Sequence, residues 1–419
     1  MRIGVTRLLH LDRARRLMDE ARLDALVVAA PVNVRYLSGV HSWLDPLMRE
    51  RMVVAGGGDA LAIGACVVLP RDGDPALVLN AGLAVNALAS WIDDVRLYGP
   101  RRLDRGDPAR LDPRQRALLE RIEGARPTAL AALLDALVER GLTGARLGID
   151  AGGHARGAAG PFAGLAEALP HAWLGDCSAL LRLLRMVKSE PELERLERAA
   201  AIGEAAAAQA FATMRPGVAL AAVAQEFRAA VAAQGAAFDH FALGAGGLSI
   251  WTLGDAVLAP GDCLFADFGC IFDGYFSDSA ATVALAEPEP AVAARYDALR
   301  DAVDAGIALA APGVRASAVQ QRMADVLAEH PVVCDPPTGH GLGLEIRDWP
   351  VLGPAQGRRI ADDCVDVDAD LPLEAGMAIN LEISAFMPGV ASVEVERTVL
   401  VTYDGAESLG AGHREPVRP

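Results

Sequence analysis

The chain has 419 residues, 52% of them hydrophobic and 5% aromatic, with a mean hydropathy of +0.24. That is enough for two domains of ordinary size and excludes a disordered polymer. A formal charge of −16 at pH 7 repels phosphate backbones and anionic bilayers, which argues against nucleic-acid and membrane partners.

In chain order, Asp12–Leu23 predicts an amphipathic helix and Leu26–Ala30 a buried strand that Pro31 ends. Asn33–Gly39 predicts a turn entering the next element. Strands are predicted over Ala60–Leu69, Ala76–Leu79, Val95–Tyr98 and Arg146–Asp150. Between the last two lie a charged, exposed and partly helical excursion, Arg101–Arg126, and a helix, Thr128–Arg140. This alternation predicts an α/β domain over residues 1–180. Ser189-Glu-Pro-Glu192 then supplies a hydroxyl N-cap, a first-turn proline and a glutamate at the third helical position. An alanine-rich helix follows to Met214, and a second spans Ala219–Ala233. Strands Asp262–Phe268, Thr282–Ala286, Met377–Ile383 and Thr398–Thr402 complete an α+β domain over 185–419, with two helices behind a mostly antiparallel sheet.

Six cysteines, at 66, 177, 263, 270, 334 and 364, form no CxxC pair. Most lie in apolar strand-like runs, which predicts inert reduced thiols and a cytoplasmic protein. The N-terminus has no apolar stretch of signal-peptide length, and no uninterrupted apolar run would span a bilayer. The glycines at 244–247 lack the strand–helix context and following Lys-Ser/Thr of a phosphate loop.

Five residues carry chemistry in places where a carboxylate or imidazole has no structural task. Asp267 interrupts the apolar run CLFADFG, and Asp278 follows Gly-Tyr-Phe-Ser277. Glu382 ends MAINLE, Glu396 lies in VEVERTVLV, and His340 sits between two glycines in TGHGLGL. Buried carboxylates are expensive unless a cation balances them. Four carboxylates and one imidazole suffice for two divalent ions when two carboxylates bridge. So oxygen-rich a set suits Mn²⁺, Fe²⁺, Co²⁺ or Mg²⁺.

The order and spacing resemble the pita-bread metallopeptidase family, which includes aminopeptidase P, Xaa-Pro dipeptidase (prolidase) and creatinase. Its D-x-G, G-Y and S-D elements appear as Asp267-Phe-Gly269, Gly274-Tyr275 and Ser277-Asp278, with the aspartates eleven residues apart. Its G-H-G-x-G-L-E element appears as Gly339–Glu345. Its two later glutamates match Glu382 after Gly376-Met377 and Glu396 ahead of Thr398–Thr402. Leu23–Val28, Pro31–Gly39 and the junction LLRMVKSEPELERLERAA are similar to the family's creatinase/prolidase N-terminal domain and its entry into the catalytic domain.

The resemblance implies a C-terminal pita-bread domain holding two divalent ions, Mn²⁺, Fe²⁺, Co²⁺ or Zn²⁺, that activate a water for attack on a carbonyl. It makes Asp267 a terminal ligand of one ion, Asp278 and Glu396 bridges, and His340 and Glu382 ligands of the second. Glu382 is also placed as general base. It further implies a small peptide or amide-like substrate, hydrolysed at a C–N bond, and, by analogy, a homodimer.

The sequence departs from the family pattern around the substrate. The family's two further histidines fall on Trp251 and Arg347, D-x-x-R-T becomes Asp278-Ser-Ala-Ala-Thr282, and R-x-E-D becomes Glu394-Val-Glu396-Arg397. Arginine in this position suits a substrate carboxylate or an oxyanion, and tryptophan an apolar ring or cationic head. Trp251, Arg347 and Glu345 are therefore the expected substrate contacts. His240, in FDHFALG, reads first as a core or rim histidine and second as a catalytic substitute. Two alternatives stand beside the peptidase: another small-molecule enzyme of this fold (opening cyclic amidines such as ectoine, creatinase-like, or cleaving dimethylsulfoniopropionate) and a non-catalytic binding module. Five retained ligands argue against the last.

Overall fold

The computed structural model describes residues 6–41, 64–104, 106–150, 162, 164–252 and 256–419. The fold divides into two compact units, one of residues 1–185 with 360–367, the other of 186–359 with 368–419.

The first unit is built on a six-stranded mixed sheet. Its strands are β1 (Ala25–Val28), β2 (Ala65–Pro70), β3 (Ala76–Asn80), β4 (Asp94–Tyr98), β5 (Arg146–Ile149) and β6 (Trp173–Asp176), in the order β4-β3-β2-β1-β5-β6. Every residue of β1 is buried, as a central strand covered on both faces requires. Helix Ala129–Glu139 packs Ala132, Leu133, Ala136 and Leu137 against it, an i, i+1, i+4, i+5 stripe. The part of the predicted second strand over residues 60–63 lies outside the described residues.

Asn33–Gly39 is a correction. Pro31–Ser38 is a helix, not a turn: Pro31 occupies its first turn and Gly39, at φ +79°, provides the left-handed C-terminal residue. Asn33 on that helix donates to Asp150 Oδ2 (2.8 Å), which also accepts from Ala30 N–H (2.9 Å). The "turn" residues therefore hold a buried polar network together.

In the second unit, helices Glu190–Phe211, Leu220–Ala233, Pro290–Leu309 and Ala316–Ala328 accompany two antiparallel sheets. Among the described residues four helices, not two, belong here, and Pro290 opens the third of them. The first helix begins on the expected capping box, Ser189 N–H donating to Glu192 Oε2 at 2.8 Å. One sheet contains β7 (Ala237–Ala245), β8 (Ser249–Trp251), β9 (Cys263–Phe272), β10 (Tyr275–Phe276) and β11 (Ser279–Ala284). The strand order is β10-β9-β7-β8, with β11 also on β9. After β12 (Thr338–Gly341) and β13 (Asp348–Leu352), the small hairpin β14 (Arg359–Ala361) and β15 (Asp366–Asp368) falls mostly in the stretch 360–367 that belongs to the first unit. With β16 (Ala378–Met387), β17 (Ala391–Val401) and β18 (Ala406–Ser408) the second sheet runs β13-β12-β16-β17-β18.

Phe211 and Phe227 on the helices pack against Phe241 of β7 and Phe268 of β9, with ring centroids 4.9–6.5 Å apart. Each buried ring contributes roughly 1.5–3 kcal/mol. This anchors one face of the first sheet and leaves the other facing β17, to which Thr282 is tied through hydrogen bonds with the Glu394 backbone.

Candidate metal centre

Strand alternation decides which side chains meet. In β9, Asp267 and Gly269 share a face; their partners across the β7 ladder are Ala242 and His240. On the second sheet, the register pairs Thr338 with Glu382, His340 with Asn380, Glu382 with Glu396, and Ser384 with Glu394. One face of β12, β16 and β17 therefore carries His340, Asn380, Glu382, Glu394 and Glu396. His340 is part of a strand, which fixes its direction as a loop would not.

The facing sides converge. His240 Nε2 lies 2.8 Å from Asp267 Oδ1 and 3.3 Å from Asp278 Oδ1, while its Nδ1 is 2.7 Å from Asp239 Oδ2. His340 Nε2 lies 3.4 Å from Asp278 Oδ2 and its Nδ1 contacts the Gly341 carbonyl oxygen at 3.0 Å. Asn380 Nδ2 donates to Glu396 Oε1 at 2.7 Å, and Thr398 Oγ1 to the Asp278 carbonyl oxygen at 2.9 Å. Thr338 Oγ1 donates to Glu382 Oε1 at 2.9 Å, and Arg347 Nη2 lies 3.6 Å from the same oxygen.

Gly269 is required by this arrangement. A Cβ there would collide with the Ser277 carbonyl oxygen and lie 2.5 Å from His240 Cε1.

The electrostatics call for cations. Burial, then the neighbouring charges of Asp278, Asp267, Glu382 and Glu394, hold the Glu396 carboxyl well above the usual carboxylate range. Burial, then Asp267, Glu382 and Asp278, do the same to Glu394. For His240, burial works against the charged form, but hydrogen bonds to Asp239, Asp267 and Asp278 prevail and push it up to about 12. Four buried atoms on this face, His340 Nε2, Asn380 Oδ1, Glu394 Oε2 and Glu396 Oε2, have no hydrogen-bond partner. Such orphans cost about 1–3 kcal/mol each, and a divalent ion satisfies an imidazole nitrogen and carboxylate oxygens together. Nε2 of His240 and one oxygen each of Asp267 and Asp278 lie within 4.8 Å of one another, close enough for one ion. The donor set thus fits divalent metal.

The structure brings all five expected ligands together and adds three residues. Glu394 was noted in the sequence only as an exchanged charge, although its i, i+2 spacing from Glu396 was the signal that both share a face. His240 enters the cluster itself rather than its rim, and Asp239 holds it. The expected substrate contacts are less uniform. Arg347 reaches Glu382 from an exposed position, its side chain 69% accessible. Glu345 lies in the bend between β12 and β13, where its carbonyl oxygen accepts from Gly343 N–H. Trp251 pairs with Leu243, which faces the helices; the β8 residue on the face of Asp267 is Ile250, opposite Gly244.

The sequence model of Metallopeptidase family M24 matches residues 194–403, and that of the Creatinase/Prolidase N-terminal domain matches 10–187. The probable dipeptidase PepE of Mycobacterium tuberculosis is 34% identical over 242 residues, 55% of this chain and 60% of that protein. Among solved structures, the dipeptidase PepE of Mycobacterium ulcerans superposes with a TM-score of 0.65 at 26% identity, covering 97% of this chain and 96% of the other. An Xaa-Pro dipeptidase from Bacillus anthracis gives a TM-score of 0.71 at 21% identity, covering 98% and 99%. Among the described residues, no helix is long and apolar enough to cross a membrane. Two facing sheets with a convergent carboxylate–imidazole cluster and a family match over half the chain lead to one conclusion: the protein belongs to metallopeptidase family M24.

Proposed function

We propose that this chain is a dinuclear metal-dependent peptidase that cleaves a C–N bond in a small peptide carrying a free carboxylate. The observation that carries the reading is the set of orphaned buried atoms on His340 and Glu396, facing Asp267 and Asp278 on the opposite sheet. In this reading Asp267, Asp278, His340, Glu382 and Glu396 would together hold the two ions. When bound, such ions would supply Lewis-acid polarisation of the scissile carbonyl and an acidified water.

The remaining work falls to the chain's own groups. Thr338 Oγ1 orients Glu382 by donating to Oε1, so the carboxylate is fixed where it takes the proton of the attacking water and returns it to the leaving amine. Arg347 stands 3.6 Å from that carboxylate and is otherwise exposed, so its guanidinium is free to turn onto an incoming substrate carboxylate. Names borne by relatives, dipeptidase and Xaa-Pro dipeptidase, support substrates of this size. A homodimer is the assembly this reading carries, and sedimentation velocity tests it.

The decisive experiment pairs metal content with turnover. About two ions per chain in the wild type, sharply fewer in Asp278→Ala, and hydrolysis of Xaa-Pro or related dipeptides support the proposal. Two ions with turnover of cyclic amidines alone would redirect it to a non-peptide amide, and no bound metal would end it.

A further inference from the structure

The β7 strand carries an irregularity with a chemical consequence. Phe238 pairs with Cys270 and His240 with Gly269, so two residues, Asp239 and His240, oppose one on β9. Such a bulge reverses the alternation and re-aims a side chain. In a regular strand Phe238 and His240 would share a face. Here Phe238 turns to the helices, its ring 6.2 Å from that of Phe227, while His240 turns to the carboxylates.

His240 arrives there preset. Its Nδ1 is held by Asp239 Oδ2 at 2.7 Å, which directs Nε2 at Asp267 Oδ1 (2.8 Å) and Asp278 Oδ1 (3.3 Å). Donor atoms sharing one ion at about 2.0–2.2 Å lie roughly 3–3.5 Å apart; the Asp278 contact falls in that range and the Asp267 contact, at 2.8 Å, just short of it. A carboxylate behind a metal-bound imidazole is the arrangement that fixes the ring and its tautomer. Gly269 leaves the room that the ring occupies.

We propose that His240, oriented by Asp239, is a ligand of the ion held by Asp267 and Asp278, so that each of the two ions carries one imidazole. The inference rests on the dinuclear reading above and adds a donor that the family motifs do not supply. It changes the metal preference as well. A nitrogen donor on both ions favours Co²⁺ and Zn²⁺ over Mg²⁺ and Mn²⁺.

The test is Co²⁺ titration of chelator-stripped wild type, His240→Ala, Asp239→Asn and Asp278→Ala, read by visible absorption and by metal bound at equilibrium dialysis. For the wild type, two ions bind. His240→Ala weakens one of them by 100-fold or more and alters its d–d bands, and Asp239→Asn weakens the same ion about 10–100-fold. Unchanged or tighter Co²⁺ binding in His240→Ala, with loss in Asp278→Ala, overturns the proposal and leaves the dinuclear reading standing. A wild type that binds no Co²⁺ overturns both. Should His240→Ala not fold, NMR of the Co²⁺-loaded wild type decides independently. Two strongly shifted, exchangeable imidazole N–H resonances support the inference, and one refutes it.

Discussion

Replacing Glu396 by Gln separates the cost of the bare metal site from its worth when loaded. Glu396 is 2% exposed, its Oε1 accepts from Asn380 and its Oε2 has no partner. Its carboxyl is held well above its ordinary range, so its contribution to stability is present below about pH 4.5 and lost as the pH rises. In a chelator at pH 8, glutamine replaces the orphaned oxygen by an amide that can donate to the surrounding carboxylates and removes a charge from among them, stabilising the second unit by about 2 kcal/mol. For a domain of this size that is a melting temperature roughly 6 °C higher. With free metal at 1,000 times its dissociation constant, the wild type gains about 4.1 kcal/mol, or about 12 °C. A variant that binds 100-fold more weakly gains only about 1.4 kcal/mol. The two proteins should therefore exchange order between chelator and metal in calorimetry. If the metal-free variant melts below the metal-free wild type, and metal raises both equally, Glu396 is neither strained nor a ligand.

Three further outcomes follow from other parts of the second unit. Gly269→Ala forces a methyl against the Ser277 carbonyl and the His240 ring; it should cost about 1–3 kcal/mol in urea unfolding and weaken metal binding in the same sample. Glu192 is buried at the start of its helix, and burial raises its carboxyl to about 7 against the pull of Lys188, the Ser189 N–H and the Tyr275 hydroxyl. Its stabilisation is complete below about pH 4.5 and lost as the pH rises through about 7, a change of about 3 kcal/mol that Glu192→Gln should flatten in pH-dependent melts. Arg347→Ala should raise the KM for dipeptides with a free carboxylate about tenfold or more while leaving their C-terminal amides unaffected. Equal effects on both substrates would remove Arg347 from carboxylate recognition.

Much of this protein was legible without coordinates because its signals are local. Strand alternation, the Ser189–Glu192 capping box and proline at helix starts act within a few residues, so the first long helix of the second unit could be read closely. The proposed metal ligands were legible because Asp267, His340, Glu382 and Glu396 stand in apolar strands, and Asp278 between two short ones, where only a cation justifies a buried charge. Asn33–Gly39 was ambiguous in the sequence because its glycine and asparagine suit a turn as well as a helix end. The choice was made by Pro31 behind it and by the buried Asp150, more than a hundred residues away.

The tertiary structure alone decided the membership of the cluster. Nothing in FDHFALG announces a bulge, since the extra residue is defined by its partner strand, yet that bulge turns His240 from the helices to the carboxylates. Glu394 likewise became part of the site only when β17 lay against β9 and β11, because which face of a strand is dry depends on what covers it. Sequence by itself determined which residues are chemically able to hold metal. Packing between two sheets, a long-range property, determined which of them meet.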